Sequence, residues 1–76
     1  MKRFVYAYSH VYGWAVYDRN RGMTPAYEAC AELLPPAKVE EDGTILSRSP
    51  VNLPDEWTAF NLAVQLNGKY RKTLRK

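Results

Sequence analysis

Bulky and small side chains alternate along residues 4–8 and again along residues 14–17. Both segments are rich in residues that favour β-structure, so the two-residue period predicts two strands. Gly13 lies between them and can adopt a positive φ, which favours an antiparallel hairpin. One face of the hairpin would carry Phe4, Tyr6, Tyr8, Trp14 and Val16, and the other Val5, Ala7, Ala15 and Tyr17. One long strand over residues 3–17, with its turn at residues 18–22, fits the same periodicity.

A short helix is predicted after the hairpin, over residues 26–34. Thr24 offers a side-chain oxygen as the N-cap, and Pro25 suits the first helical position, where its missing N–H costs nothing. The apolar side chains at helical spacing on one side are Tyr27, Cys30, Ala31 and Leu34. Pro35 and Pro36 end the helix.

Residues 38–46 contain an Asp42-Gly43 turn signal between short apolar pieces. The pattern predicts either a third strand at an edge of the sheet or a small hairpin. The charged residues of this segment suit an edge, because they discourage pairing with another strand.

A long C-terminal helix is predicted to begin near Asn52 or Leu53, with Pro54 in its first turn. Asp55 and Glu56 follow where the helix dipole favours negative charge. An apolar face this broad is expected to pack on a sheet. It comprises Trp57, Ala59, Phe60, Leu62, Ala63, Val64 and Leu66.

The end of this helix is predicted at Asn67-Gly68, a pair typical of a helix C-terminus. Residues 69–76 are then either a basic tail or an extension of the helix. We therefore predict a single domain over residues 1–76, with residues 68–76 as its basic tail if the helix ends there. The fold class is α+β: a small antiparallel sheet packed against one long C-terminal helix, with a short helix after the hairpin.

The composition is that of a globular protein with a thin core. Two Trp, six Tyr and two Phe occur among 76 residues, and such large rings bury much area in a short chain. The single cysteine argues against a disulfide framework and for a reducing compartment. No apolar run approaches the roughly 18 residues of a membrane span. We therefore expect a cytoplasmic protein with no membrane association.

No residue pattern indicates catalysis or a cofactor. His10 is the only histidine and is expected to be a solvated turn residue. Cys30 stands beside alanines, as a small buried hydrophobe does. One Cys and one His cannot supply the four ligands of a structural zinc site, and the four glycines are too scattered for a phosphate-binding loop. We therefore predict a non-enzymatic protein without metal or cofactor.

Charge is segregated along the chain. Residues 1–22 hold four basic residues and one acidic residue, residues 23–56 hold two basic and seven acidic residues, and residues 57–76 hold five basic residues and no acidic residue. Either the basic ends neutralise the acidic centre within the fold, or the segments present two charged faces to partners.

The aromatic residues of the hairpin indicate a binding function. One helix covers only one face of a sheet, and Tyr, Trp and Arg are the residues enriched at interface hot spots. The predicted protein-binding residues are Tyr6, Tyr8, Tyr12, Trp14, Tyr17, Arg19, Arg21, Glu40, Glu41 and Asp42. If the rings instead fill the core, the hairpin carries no interface.

Two further kinds of partner fit the sequence. In a nucleic-acid-binding protein, bases would stack on the rings of the hairpin while basic side chains meet phosphates. Those basic residues would be Lys69, Arg71, Lys72, Arg75 and Lys76. An exposed hairpin edge is also open to a second copy of the chain, which would form a homodimer through a continuous sheet.

Residues 14–19 (WAVYDR) and 63–67 (AVQLN) resemble many very small phage-encoded proteins. These pair an N-terminal strand reading W-x-V-x-D with a C-terminal helix ending in L-N. The resemblance implies an accessory protein that inhibits or redirects a host enzyme, such as a CRISPR–Cas complex or a transcription or replication enzyme. Its acidic segment, Glu40 to Asp42, would then occupy a basic nucleic-acid channel, or its aromatic hairpin would dock on an apolar patch.

Overall fold

The computed structural model describes residues 2–34, 38–39, 41–42, 45–46 and 49–74. In chain order the elements are β1 (Phe4–Ser9), β2 (Gly13–Asp18), a 3-10 turn (Arg19–Arg21), β3 (Thr24–Pro25), α1 (Tyr27–Leu33), β4 (Lys38–Val39), β5 (Ile45–Leu46) and α2 (Glu56–Leu74). The first three strands form an antiparallel sheet in the order β1-β2-β3, and β4 pairs with β5 in a separate two-stranded sheet. The α+β fold class is confirmed.

The N-terminal hairpin forms as predicted, so the single long strand over residues 3–17 is wrong. Tyr6 lies opposite Val16 and Tyr8 opposite Trp14, which places the predicted aromatic face on one side of the sheet. Gly13 has φ 64°, the left-handed conformation that the tight connection requires of it.

Thr24 and Pro25 form β3, so the prediction that Thr24 caps the short helix is wrong. The Thr24 hydroxyl donates to the carbonyl oxygen of Arg21 at 3.0 Å. Ala26 occupies the N-cap position, and its N–H donates to the carbonyl oxygen of Val16 at 3.0 Å. Because this segment pairs with the backbone of β2, the helix begins only at the residue after Ala26.

The segment before α2 adds to the same side of β2. The Val16 N–H donates to the carbonyl oxygen of Pro50 at 2.8 Å, and the Leu53 N–H donates to that of Trp14 at 2.9 Å. β2 is thus paired on both sides. The outer side of β1 is one of the two edges of this sheet within the described residues.

The core lies between the sheet and the two helices. Its buried residues are Phe4, Val16, Ala26, Ala29, Cys30, Leu34, Leu62, Ala63 and Leu66. On α1 the prediction of an inward side was half right, because Cys30 and Leu34 are buried whereas Tyr27 and Ala31 are exposed. Pairing of β3 with β2 sets the rotation of α1, and that rotation turns Ala26 and Ala29 inward instead.

The long helix begins one turn later than predicted. The carboxylate of Asp55 accepts hydrogen bonds from the Thr58 N–H at 2.8 Å and from the Thr58 hydroxyl at 2.7 Å. Asp55 is therefore the N-cap in place of Asn52 or Leu53, and Pro54 precedes the helix.

The helix also runs through the predicted stop at Asn67-Gly68 and on to Leu74. Asn67 is buried rather than terminal: its side-chain carbonyl accepts from the Phe4 N–H at 2.9 Å, and its NH₂ donates to the Phe4 carbonyl oxygen at 3.0 Å. The amide thus pairs with the edge of β1 as another strand would. Residues 69–74 extend the helix, and residues 75–76 lie outside the described residues.

Replacing Asn67 with alanine is expected to lower the free energy of unfolding by about 2–3 kcal/mol, because the buried N–H and C=O of Phe4 both lose their partner. Urea denaturation measures the change. Asn61→Ala is the matched control, since Asn61 makes one exposed hydrogen bond to the Trp57 carbonyl oxygen. Equal losses in the two variants would contradict a structural role for the Asn67 amide.

Candidate functional site

Five aromatic rings form one continuous surface across the hairpin and α2. Centroid distances are 5.9 Å between Trp57 and Phe60, 5.8 Å between Phe60 and Tyr6, 6.4 Å between Tyr6 and Trp14, and 5.6 Å between Trp14 and Tyr8. These are contact distances for aromatic pairs. We call these five residues the aromatic surface.

Much of the aromatic surface is open to solvent. Trp57 is 70% exposed, Tyr8 61% and Phe60 40%, and Val64 beside them on α2 is 47% exposed. Tyr6 and Trp14 are half-buried and connect the exposed rings. Single exposed apolar residues are ordinary, but a contiguous group of them marks an interaction site.

The helix contributes to this surface through one stripe of its circumference. Trp57, Phe60, Val64 and Asn67 recur at spacings of three and four residues and so share one side of α2. Asn67 fixes that side against β1 through its bonds to Phe4. The predicted apolar face of α2 is therefore divided: its other members pack in the core, while this stripe lies beside β1 and stays largely exposed.

The sequence predicted Trp57, Phe60 and Val64 in the core, so two of the five rings of the aromatic surface, Trp57 and Phe60, were not among the predicted binding residues. The available signal was the width of the apolar face. A face spanning two adjacent stripes is wider than a sheet of three short strands covers, so one stripe had to remain outside.

Only some of the predicted hairpin residues belong to the aromatic surface. Tyr6, Tyr8 and Trp14 belong to the aromatic surface. Tyr12 and Tyr17 contact each other instead, with ring centroids 6.3 Å apart, and the Tyr17 hydroxyl lies 3.3 Å from the Ser9 hydroxyl. Tyr17 occupies the other face of the sheet. The structure therefore does not bring these two tyrosines to the aromatic surface.

The two predicted arginines lie in the 3-10 turn that follows β2. Both Arg19 and Arg21 are exposed. Arg21 forms an ion pair with Glu28 at 3.0 Å, between side chains 49% and 61% exposed. An ion pair this exposed contributes little to stability. The arginines stand at the end of β2 that is distant from Tyr8 and Trp14.

A different arginine forms the strongest ionic contact among the described residues. Arg3 donates to both carboxylate oxygens of Asp18 at 2.8 Å, and Asp18 is only 1% exposed. The Asn20 N–H adds a third hydrogen bond to this carboxylate at 3.0 Å. The guanidinium carbon also lies 4.9 Å from the Phe4 ring centroid and 4.6 Å from that of Tyr70.

This ion pair sets the charge state of both partners. Burial by itself raises the pKa of Asp18, but hydrogen bonds from Arg3 and Asn20 and the charge of Arg3 outweigh it and lower that pKa. The hydrogen bond to Asp18 raises the pKa of Arg3. Because the pair joins the residue before β1 to the last residue of β2 and touches Tyr70 on α2, we assign it a structural role.

The acidic and basic candidates occupy different elements. Glu41 and Asp42 are exposed in the turn between β4 and β5, and Glu40 lies outside the described residues. Lys69 and Arg71 are exposed on α2. Lys72 lies in α2 but its side chain is not among those described, and Arg75 and Lys76 lie outside the described residues.

Arg71 takes part in a basic cleft that the sequence did not predict. It lines a cleft of about 490 Å³ together with Lys2, Arg3, Asn67 and Tyr70. The residues before β1 and the last turns of α2 form this cleft, so it combines cations that are distant in sequence. Arg3 is already engaged with Asp18, which leaves Lys2 and Arg71 as the cations available to an anionic partner.

The single histidine and the single cysteine lie in different environments. His10 is exposed at the hairpin turn, with its ring 6.4 Å from that of Tyr8, whereas Cys30 is buried in the core. No group of three His, Cys, Asp or Glu residues suited to a metal ion occurs in the part of the chain that the structure describes. Among those same residues, no helix has the length and apolar character to cross a membrane.

Comparison with models of known protein families, with curated protein sequences and with solved structures found no match. The functional assignment therefore depends on the chemistry of the aromatic surface and the charged residues around it.

Proposed function

We propose that this protein is a non-enzymatic protein-binding module whose aromatic surface contacts the partner. The observation that carries the proposal is the exposure of Trp57 and Tyr8 at the two ends of one row of touching rings. Such rings give a large contact area with few rotatable bonds to immobilise, which is why Trp and Tyr dominate interface hot spots. A cytoplasmic location and the absence of a cofactor belong to the same proposal.

The resemblance to small phage-encoded proteins extends this proposal to the kind of partner. The target would be a larger host protein that processes nucleic acid, such as a CRISPR–Cas complex, and binding would inhibit it by covering a working surface. Two surfaces of this chain suit such a target. The aromatic surface matches an apolar patch, and the exposed acids Glu41 and Asp42 match a basic nucleic-acid channel.

A nucleic-acid-binding function is the second candidate, and the basic cleft favours it. Lys2 and Arg71 line this cleft beside the ring of Tyr70, so phosphate-binding cations and a ring for base stacking are close together. The position of the larger exposed rings argues against nucleic-acid binding. They lie on the aromatic surface, and its helical residues Trp57 and Phe60 are at the opposite end of α2 from Arg71.

Affinity capture of the tagged protein from its source lysate, with and without nuclease, separates the two candidates. We expect the same protein to be retained in both arms and to stay bound when salt is raised, because an apolar interface responds weakly to salt. Retention that disappears with nuclease and falls steeply with salt contradicts the proposal and favours the basic cleft.

A third arm with a Glu41→Lys/Asp42→Lys variant tests the acidic version of the mechanism. Charge reversal of two acids that enter a basic channel is expected to weaken capture strongly at low salt. Unchanged capture would assign recognition to the aromatic surface alone. Both acids are exposed in a turn, so their reversal leaves the buried core unchanged.

A further inference from the structure

The outer edge of β1 carries backbone groups that are open for pairing. The Arg19 N–H donates to the carbonyl oxygen of Arg3 at 2.9 Å, so Arg3 faces β2, and alternate residues face away from it. Phe4 accordingly turns its N–H and C=O outward, where Asn67 binds both. Tyr6 and Tyr8 face the same way, and their backbone groups meet no partner among the described residues.

The hydrogen bonds of β2 support this alternation. Three residues of β2 stand opposite the outward-facing residues of β1, namely Trp14, Val16 and Asp18. Their backbone groups form hydrogen bonds on the side of β2 that faces away from β1. Pairs of this type do not bond each other in an antiparallel ladder. The open groups of Tyr6 and Tyr8 are therefore a consequence of the register rather than of a local distortion.

An apolar cleft runs along the same edge. It has a volume of about 210 Å³ and lies between β1 and α2, where Tyr6 faces Phe60 and Val64 of the helix and Asn67 closes one end. The open strand edge and the exposed stripe of α2 are thus adjacent. A chain that pairs with β1 would also cover apolar surface of the helix.

We propose that the occupant of this edge is a second copy of the chain, paired antiparallel through β1 about a two-fold axis at Ala7. This arrangement sets Tyr6 of each copy opposite Tyr8 of the other. Residues opposed in this way exchange two N–H···O bonds, so all the open groups of both edges are used. The inference goes beyond the proposed function, because it concerns a contact between two copies of this chain.

The residues of β1 are suited to self-pairing. Tyr6 and Tyr8 flank Ala7 symmetrically, so the open segment is complementary to itself under a two-fold rotation. At the axis the two Ala7 residues approach to about 4.5 Å between Cα atoms, and the small, exposed side chain allows this approach. Residues 4–9 (FVYAYS) contain no charge and no proline, which are the features that protect natural edge strands from pairing.

Burial on the helices adds to the strand contact. A stable interface buries roughly 800 Å² on each partner, more than one short strand edge supplies. The two-fold axis stands perpendicular to the sheet, so both α2 helices lie on the same face of the joined sheet. Phe60 and Val64 of each copy then contact the other copy along the joined edge, and the two aromatic surfaces lie side by side on that face.

Sedimentation equilibrium of the purified protein tests the inference without any partner, so its result does not depend on the proposed function. Over about 1 to 300 μM, we expect the mass to rise from 8.8 kDa towards twice that value, with a dissociation constant in the micromolar range. An Ala7→Lys variant, which sets two like charges opposite each other, is expected to weaken dimerisation about fivefold.

Two further samples keep the test specific. Ala31→Lys is the matched control, because Ala31 is an exposed alanine on α1 away from the edge, and it should dimerise as wild type does. Synthetic protein with an N-methylated Tyr8 amide removes one open N–H while keeping every side chain and every bond of the monomer, and it should also weaken the dimer.

Three outcomes overturn the inference. One is a monomer at every concentration, which would leave the edge to a strand of a different protein. Another is a dimer that persists with the methylated Tyr8 amide, which would place the contact elsewhere. The last is an assembly larger than two, because a two-fold contact through β1 closes at the dimer.

Discussion

The Trp57→Ala variant is expected to bind the partner about 30-fold more weakly than wild type. Trp57 is the most exposed large ring of the aromatic surface and lies at its end on α2. Truncation of such an anchor typically costs about 2 kcal/mol of binding free energy or more. Because the ring is mostly exposed, the free energy of unfolding is expected to change by less than about 0.5 kcal/mol.

Isothermal titration calorimetry with the captured partner measures the affinity of Trp57→Ala. Two other variants are compared with it. Tyr8→Ala removes the ring at the opposite end of the aromatic surface and should weaken binding in the same direction. Tyr27→Ala is the matched control, because Tyr27 is 53% exposed on α1 and makes no contact with the aromatic surface. Wild-type affinity in both Trp57→Ala and Tyr8→Ala would refute the assignment of the partner-binding surface.

The Asp18→Asn variant is expected to lose about 3 kcal/mol of folding free energy. The change keeps the shape of the side chain but leaves the guanidinium of Arg3 without its anion, and breaking a buried ion pair in this way is strongly destabilising. Urea denaturation measures the loss. Asp55→Asn is a suitable control, because Asp55 is an exposed N-cap and asparagine caps helices nearly as well. A loss in Asp18→Asn no larger than in the control would refute the structural role of the pair.

The same pair predicts how stability depends on pH. The pKa of Asp18 in the folded protein lies below its ordinary value of 3.8, so the folded state binds fewer protons than the unfolded state between these two pKa values. The contribution of Asp18 to stability is therefore complete above about pH 4 and is lost as the pH falls through the folded pKa.

Comparison of two pH series isolates this contribution. The pKa of Asp55 is also lowered, mainly by the Thr58 N–H, and it acts in the same direction in both proteins. Wild type should therefore lose more stability than Asp18→Asn between about pH 4 and pH 2, and the two should approach each other in acid. Parallel curves across that range would show that Asp18 titrates normally in the folded protein.

Local pattern was sufficient for the hairpin and for the two helices. Alternation placed Tyr6, Tyr8 and Trp14 on one face, and the connection through Gly13 followed from its freedom to adopt a positive φ. The helix starts were less accurate. A Thr-Pro pair has the chemistry of a cap, but at residues 24–25 it completes a strand, because β2 offers backbone groups that pair with it.

The local sequence pattern also predicted the end of α2 inaccurately. Asn67-Gly68 has the local chemistry of a helix stop, and in isolation this pair would favour one. The buried bonds of Asn67 to Phe4, 63 residues away, hold the chain in helical conformation instead. Local preferences of a few tenths to one kcal/mol per residue are outweighed by such contacts.

The sequence by itself determined the fold class, the aromatic hairpin and the segregation of charge, because each follows from residue type and from spacing along the chain. Only the tertiary structure decided which rings remain exposed. Exposure depends on how α2 is rotated against β1, and the distant pair Asn67 and Phe4 sets that rotation. The same rotation places Trp57 and Phe60 beside Tyr6, so the aromatic surface is shared between the hairpin and the helix, whereas the sequence located the exposed rings on the hairpin alone.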